Sequence, residues 1–209
     1  YIMTDTRIEV IIGPMFSGKS TELIRRTSCY KAIGKKVLRI NHLNDTRTED
    51  NIQTHSNIKK NAIKVSSLMT LINNPIFISS EVIGIDEAQF FDDLYDFITT
   101  IESLDKIIIV AGLDGDFKRR PIGQILQIIP LCDEIVKLHA MDMVDKDGSP
   151  GIFTKRLSKN DDLIVIGAEN EYMAVSRKNY FRNHTQPTQT NDIGRLSVEE
   201  FWNQVDYTM

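Results

Sequence analysis

Cysteine is nearly missing from this chain, with two in 209 residues. Cys29 and Cys132 cannot make a disulfide framework or a four-thiolate metal site, and both read as small residues within buried structure. An excess of positive charge is also missing, since 25 Lys and Arg face 29 Asp and Glu for a net charge of −4. That leaves no basic surface to neutralise a long phosphate backbone and excludes nucleic acid as the main partner. The longest apolar runs, IEVIIG and IIIVAG, are of strand length, and neither a membrane span nor a secretory h-region is present. The chain therefore reads as a soluble cytoplasmic protein without a membrane partner.

What is present is enough apolar sequence, 41%, for one full-sized core and a small appended lobe. Residues 8–12, 37–40, 76–78, 82–85, 107–111 and 135–138 are unbroken apolar runs, as expected of strands covered on both faces. Helical spacing follows at 21–33, 66–73 and 91–104, the last with Leu94, Phe97, Ile98 and Ile101 on one face. The fold class is α/β, a parallel sheet flanked by helices with a small C-terminal lobe; the G-x-x-x-x-G-K-[ST] run at residues 13–20, after the first strand, makes it a P-loop (RecA-like) sheet. The expected domains are 8–139 for nucleotide binding, 140–182 for the small lobe and 183–209 for a polar tail. Residues 1–7 read as a frayed terminus. Residues 141–158 show neither helical nor strand periodicity, 163–166 and 172–175 are short apolar runs, 183–192 resembles a linker, and 197–205 could form a short capped helix.

Two motifs carry chemistry. Gly13, Pro14, Met15, Phe16, Ser17, Gly18, Lys19 and Ser20 fit G-x-x-x-x-G-K-[ST] between a predicted strand and a predicted helix. Such a loop turns its N–H groups inward onto phosphate, its lysine reaches the β- and γ-phosphates, and the Ser20 hydroxyl can ligate Mg²⁺. The run Val82-Ile-Gly-Ile then ends in Asp86 and Glu87, placing one acid to hold the metal and the next to accept a proton. Together they indicate ATP, Mg²⁺ and a general base, and fit hydrolysis as well as transfer to an acceptor. Phe90, Phe117 and Tyr172 are candidates to pack a flat ring near the acids.

The stretches IIGPMFSGKSTELIRR, VIGIDEAQFF, LDGDFKRRPI, FTKRL and IGAENEYMAVSR, in this order, resemble the type II thymidine kinase family. The resemblance runs from about residue 8 to 181. It implies transfer of the ATP γ-phosphate to the 5′-hydroxyl of thymidine or a close deoxypyrimidine nucleoside. It assigns Glu87 as catalytic base, Asp86 as magnesium ligand and Arg47 as a cation beside the phosphates. It encloses thymidine with Met15, Phe90, Leu113, Phe117, Thr154, Leu163, Val165 and Tyr172, the loop through Ile164, Ile166 and Gly167 acting as a lasso. It also implies a homotetramer.

Three departures stand out. The family's lobe is tied by a structural zinc on two C-x-x-C pairs, whereas those positions here are Asp142, Asp145, Ser176 and Asn179. Two carboxylates, a hydroxyl and an amide make a poor cage for a soft ion, so no zinc is expected; local packing or hydrogen bonds, for example among these residues, would have to substitute, with a hard ion such as Mg²⁺ or Ca²⁺ as the alternative. Ile122 replaces an aromatic residue, and Asp116 introduces charge beside Phe117. The competing readings are a P-loop ATPase or helicase-like motor, disfavoured by length and charge, and a nucleotide-binding regulator that has lost catalysis.

Overall fold

A computed structural model describes residues 5–45, 51–53, 59–157 and 171–182. Six parallel strands form the central sheet in the order β5-β2-β6-β7-β1-β8: β1 Arg7–Gly13, β2 Val37–His42, β5 Ile63–Val65, β6 Val82–Ile85, β7 Ile107–Leu113 and β8 Glu134–Lys137. Two short strands, β3 Asn51–Gln53 and β4 Lys59–Asn61, pair separately as an antiparallel ribbon.

The period of two along each strand divides the core between two faces. From β1, Ile8, Val10 and Ile12 join Leu38, Ile40, Ile83, Ile85, Ile108 and Val110 on the face covered by α3 (Leu94–Ile101), whose Leu94, Phe97, Ile98 and Ile101 are fully buried. Ile11, Ile109 and Ala111 face the other way, toward Leu23 and Ile24 of α1 (Lys19–Ala32). On that face Glu9 is 4% exposed and is paired with Arg26 of α1 at 2.5 Å, so its buried charge is compensated.

The helix predicted at 91–104 is present in shortened form, and the strands predicted at 8–12, 37–40, 82–85, 107–111 and 135–138 match β1, β2, β6, β7 and β8. Four readings are corrected. Residues 76–78 are not a strand but part of the one-turn helix α2 (Pro75–Ser79). Asn74 caps it by accepting the Ile76 N–H at 2.9 Å, Pro75 presets its first turn, and only Phe77 is buried. The helix predicted at 66–73 is reduced to a 3₁₀ turn at Met69–Leu71. Arg7, assigned to a frayed end, opens β1, and Cys29 is exposed on α1 rather than buried; Cys132 is half-buried.

Beyond β8, the region without visible periodicity contains strands. β9 (Ala140–Met141) pairs antiparallel with β10 (Pro150–Gly151), and β11 (Phe153–Arg156) with β12 (Tyr172–Val175), before α4 (Arg177–Phe181). The readings at 163–166, 183–192 and 197–205 lie outside the described residues. Among the described residues, no helix is long and apolar enough to cross a membrane.

Candidate active site

Parallel strands bring their carboxyl ends to one edge, the edge at which open α/β sheets bind ligands. β1 arrives there at Gly13, in register with Leu113 of β7. Gly13 has φ 153°, and a Cβ on it would lie 2.4 Å from the Leu138 carbonyl oxygen and 2.9 Å from Ser17 Oγ, so the loop closes only around glycine. Phe16 at φ 65° and Gly18 at φ 81° complete the turn, with Gly18 at the N-cap of α1. Ser17 Oγ and Lys19 Nζ both donate to the Pro14 carbonyl, at 2.9 and 2.6 Å. The buried Lys19 ammonium therefore lies back over the loop, at the positive end of a 14-residue helix.

β6 reaches the same edge one strand further along, with β7 between it and β1. The next residue, Asp86, is 1% exposed; its N–H donates to the Ile40 carbonyl at 2.9 Å and its Oδ1 accepts the Glu87 N–H at 3.0 Å. Glu87 adopts the left-handed region, φ 51° and ψ 39°, which is costly for a residue with a Cβ and turns the chain sharply into the 3₁₀ turn Ala88–Phe90. Its half-buried carboxylate accepts a 2.6 Å bond from Gln89 Nε2.

Gln89 is a residue the sequence reading missed. It is 4% exposed, and its Oε1 accepts the Leu113 N–H at 3.0 Å, so one amide joins Glu87 to the end of β7. Its slot needs two glycines. A Cβ on Gly112 would lie 2.7 Å from Gln89 Oε1, and one on Gly123 would lie 2.2 Å from the Gln89 carbonyl oxygen. The three residues are far apart in sequence, and no local pattern marks them.

The second lobe meets the phosphate loop directly, where Thr154 Oγ1 in β11 accepts the Met15 N–H at 3.0 Å. Beside it the Phe117 and Tyr172 rings stand 6.5 Å apart, and the Arg156 guanidinium lies 5.1 Å from the first and 5.5 Å from the second. Arg156, also unforeseen, has a side chain only 3% exposed, with Glu171 at 3.6 Å. Tyr180 Oη donates to the Phe117 carbonyl at 2.9 Å. Asp116 does not point its charge into a cleft. It accepts from the Lys118 and Arg120 backbone N–H groups, both at 2.8 Å, and pairs with the Arg120 guanidinium, holding the turn after β7. Ile122 is half-buried.

On the other side, Phe90 tilts over His42 at 5.8 Å, and His42 meets Phe91 edge-on at 4.8 Å. Burial holds the His42 imidazole below its ordinary pKa, and its Nδ1 accepts the Asn44 N–H at 3.0 Å.

A protein-family model described as thymidine kinase matches residues 6–180. The chain belongs to the thymidine kinase family. It is 42% identical to the thymidine kinase of raccoon poxvirus over 178 residues, covering 85% of this chain and 98% of that protein. The monkeypox virus thymidine kinase is likewise 42% identical, and that of vaccinia virus (strain Western Reserve) 41%, over the same shares of each chain.

Of the residues singled out from sequence, Lys19, Ser20, Asp86, Glu87 and Phe90 share the carboxyl edge of the sheet with the loop from Gly13 to Gly18, and Leu113 joins them at the end of β7. Thr154 is tied to Met15, and Phe117 and Tyr172 flank Arg156. Arg47 and the lasso residues Leu163, Ile164, Val165, Ile166 and Gly167 lie outside the described residues. Asp142, Asp145, Ser176 and Asn179 are brought together by hydrogen bonds.

Proposed function

We propose that this chain transfers the γ-phosphoryl group of ATP to the 5′-hydroxyl of thymidine, and of deoxyuridine, giving the 5′-monophosphate and ADP. The observation that carries the reading is the placement of Glu87. Its carboxylate is held by Gln89 at the same sheet edge as the phosphate loop, one residue beyond the buried Asp86. Membership of the thymidine kinase family supports the choice of acceptor.

The residues present fit both ATP and Mg²⁺. Gly13 leaves the space that a Cβ would fill, and the N-terminus of α1 supplies positive potential for phosphate. The Ser20 hydroxyl and the Asp86 carboxylate are hard oxygen donors of the kind Mg²⁺ prefers. When bound, the ion neutralises charge on the β- and γ-phosphate oxygens. Gly13, Pro14, Met15, Phe16, Ser17 and Gly18 wrap the phosphates, and Lys19 swings from the Pro14 carbonyl to them. Glu87 takes the 5′-hydroxyl proton as that oxygen bonds to the γ-phosphorus and the bond to the β-phosphate oxygen breaks, with Arg47 offsetting the spreading negative charge. Met15, Phe90, Leu113, Phe117, Thr154 and Tyr172 enclose the nucleoside, with Leu163, Ile164, Val165, Ile166 and Gly167 as its further binding residues. Excluding water in this way favours transfer over hydrolysis.

Purified chain should phosphorylate thymidine in an ATP-dependent manner, and Glu87→Gln should lower kcat by about 10³-fold with ATP binding retained, since a positioned base contributes roughly 10²–10⁴-fold. Undiminished turnover in Glu87→Gln, or no turnover with any pyrimidine nucleoside, would overturn the reading.

A further inference from the structure

We infer that the Asp142 carboxylate is a metal-free clamp, doing for this lobe what a structural zinc would do and positioning the β11–β12 hairpin against the phosphate loop. Two segments far apart in sequence meet at it, residues 142–145 and 176–179. Asp142 is 2% exposed and Asn179 is 1% exposed. Asp142 Oδ1 accepts the Ser176 N–H at 2.6 Å, and its Oδ2 accepts Asn179 Nδ2 at 2.7 Å and the Asp145 N–H at 2.8 Å. Ser176 Oγ in turn accepts the Asn179 N–H and caps α4.

Burying a carboxylate is costly unless its lone pairs are filled, and here N–H donors fill them. Burial alone would raise the Asp142 pKa, but the donors from Ser176, Asp145 and Asn179 outweigh it and hold the group below its ordinary value. Asp145 faces outward and takes Lys178 Nζ at 2.9 Å and Arg182 Nη1 at 3.2 Å. Two carboxylates thus already stand against two cations. A divalent ion would have to displace both Lys178 and Arg182 from Asp145 and pull the N–H donors off Asp142. A soft ion would find no thiolate, because Cys29 lies in α1 and Cys132 before β8.

The clamp continues into the backbone ladder. Asp142 N donates to the Ser149 carbonyl at 2.8 Å and Met143 N to the Ala174 carbonyl at 3.0 Å. β12 leads directly into Ser176, and Ala174 and Val175 in it are fully buried. Its partner β11 carries Thr154, where the Met15 N–H is bound. Asp142 is thus a positioning residue that reaches the site through one hairpin.

The test uses the full-length chain. Metal analysis should find no stoichiometric zinc, and a zinc-selective chelator with Mg²⁺ in excess should leave kcat and KM unchanged. In Asp142→Ala, hydrogen exchange should quicken in residues 140–157 and 171–182 and stay unchanged in β1, β6 and β7. The thymidine KM should rise about tenfold and the ATP KM by a smaller factor, while kcat moves less than about threefold. The kinetic arm rests on the nucleoside site proposed above, whereas the metal and exchange arms do not. Asp142→Asn, whose amide nitrogen would face the Asp145 N–H, should act like Asp142→Ala, and the double variant Asp142→Ala with Asn179→Ala should cost less than the sum of the two single variants, because they share one hydrogen bond. If Asp142→Ala does not fold, Asn179→Ala, which removes a single donor, is the variant in which the same local exchange should appear. One zinc per chain, inactivation by the chelator, unchanged exchange in the single variants, or strictly additive effects in the double variant would each overturn the inference.

Discussion

The two halves of the candidate site are held in place by different physics. The edge carrying Lys19, Asp86 and Glu87 is an outgrowth of a six-stranded sheet with fully buried residues on both faces. Among its described residues, the lobe carrying Thr154 and Tyr172 contains two-stranded pieces in which Ala174 and Val175 are the fully buried apolar residues. In the first, position comes from many interchangeable apolar contacts. In the second, it comes from a few polar and ring contacts: the Asp142 carboxylate, Arg156 between Phe117 and Tyr172, and Arg119 over Tyr180 at 4.4 Å and Phe181 at 4.6 Å. The core should therefore respond to substitution by losing global stability, and the lobe by losing local order and substrate affinity.

The largest effect expected from this contrast is in the core. Phe97→Ala, at a fully buried ring on α3, should lower unfolding free energy by about 3–5 kcal/mol in denaturant titration. Thymidine KM should stay near wild type in the fraction that remains folded. If KM rose as steeply as stability fell, the division between the halves would fail. Gln89→Leu probes the seam between them. It removes the amide that holds Glu87 and leaves the Leu113 N–H unmatched, so kcat should fall by about 10–100-fold. Thr154→Val keeps the shape and removes the acceptor of the Met15 N–H; steady-state kinetics should show KM for both substrates rising several-fold, in line with about 1–2 kcal/mol for a half-buried unmatched donor.

The smallest effect concerns charge on the sheet side. The Arg25 hydrogen bond, reinforced by Arg26, pulls Glu22 down to about 2 from an ordinary 4.5. A depressed carboxylate stabilises the fold at pH values above its unfolded pKa, and that contribution disappears as pH falls through the folded one. Glu22→Gln should therefore cost less than about 1 kcal/mol at pH 7, the scale of partly exposed ion pairs, and nothing near pH 2. Denaturant titrations at the two pH values read the difference.

Much of the sheet edge was legible because its determinants are local. The Gly13–Ser20 motif, the apolar run ending at Asp86 and Glu87, and the unbroken strands each announce themselves within about ten residues. Where the structure departs, longer-range or competing terms win. The apolar triplet at 76–78 reads as a strand by composition, yet Asn74 and Pro75 start a helix there and Lys106 secures its carbonyls, donating to Phe77 and Ser80 at 3.2 and 2.6 Å. β5 carries only half-buried residues and sends no strong apolar pattern. Gln89 lies within the acid motif, but its role depends on Gly112, Leu113 and Gly123. The pairs 142/145 and 176/179 were visible as a departure from paired cysteines; that Asp142 is their centre depends on burial and on which N–H groups point inward.

The bond from Met15 N–H to Thr154 Oγ1 spans the two halves, and Met15 belongs to the loop that wraps phosphate. Any ligand that shifts the loop alters the free energy of that bond and so the free energy of the lobe, and linkage makes the influence reciprocal and equal in size. Nucleotide and nucleoside affinities are therefore not separate properties of this chain, and each substrate should be measured in the presence and absence of the other.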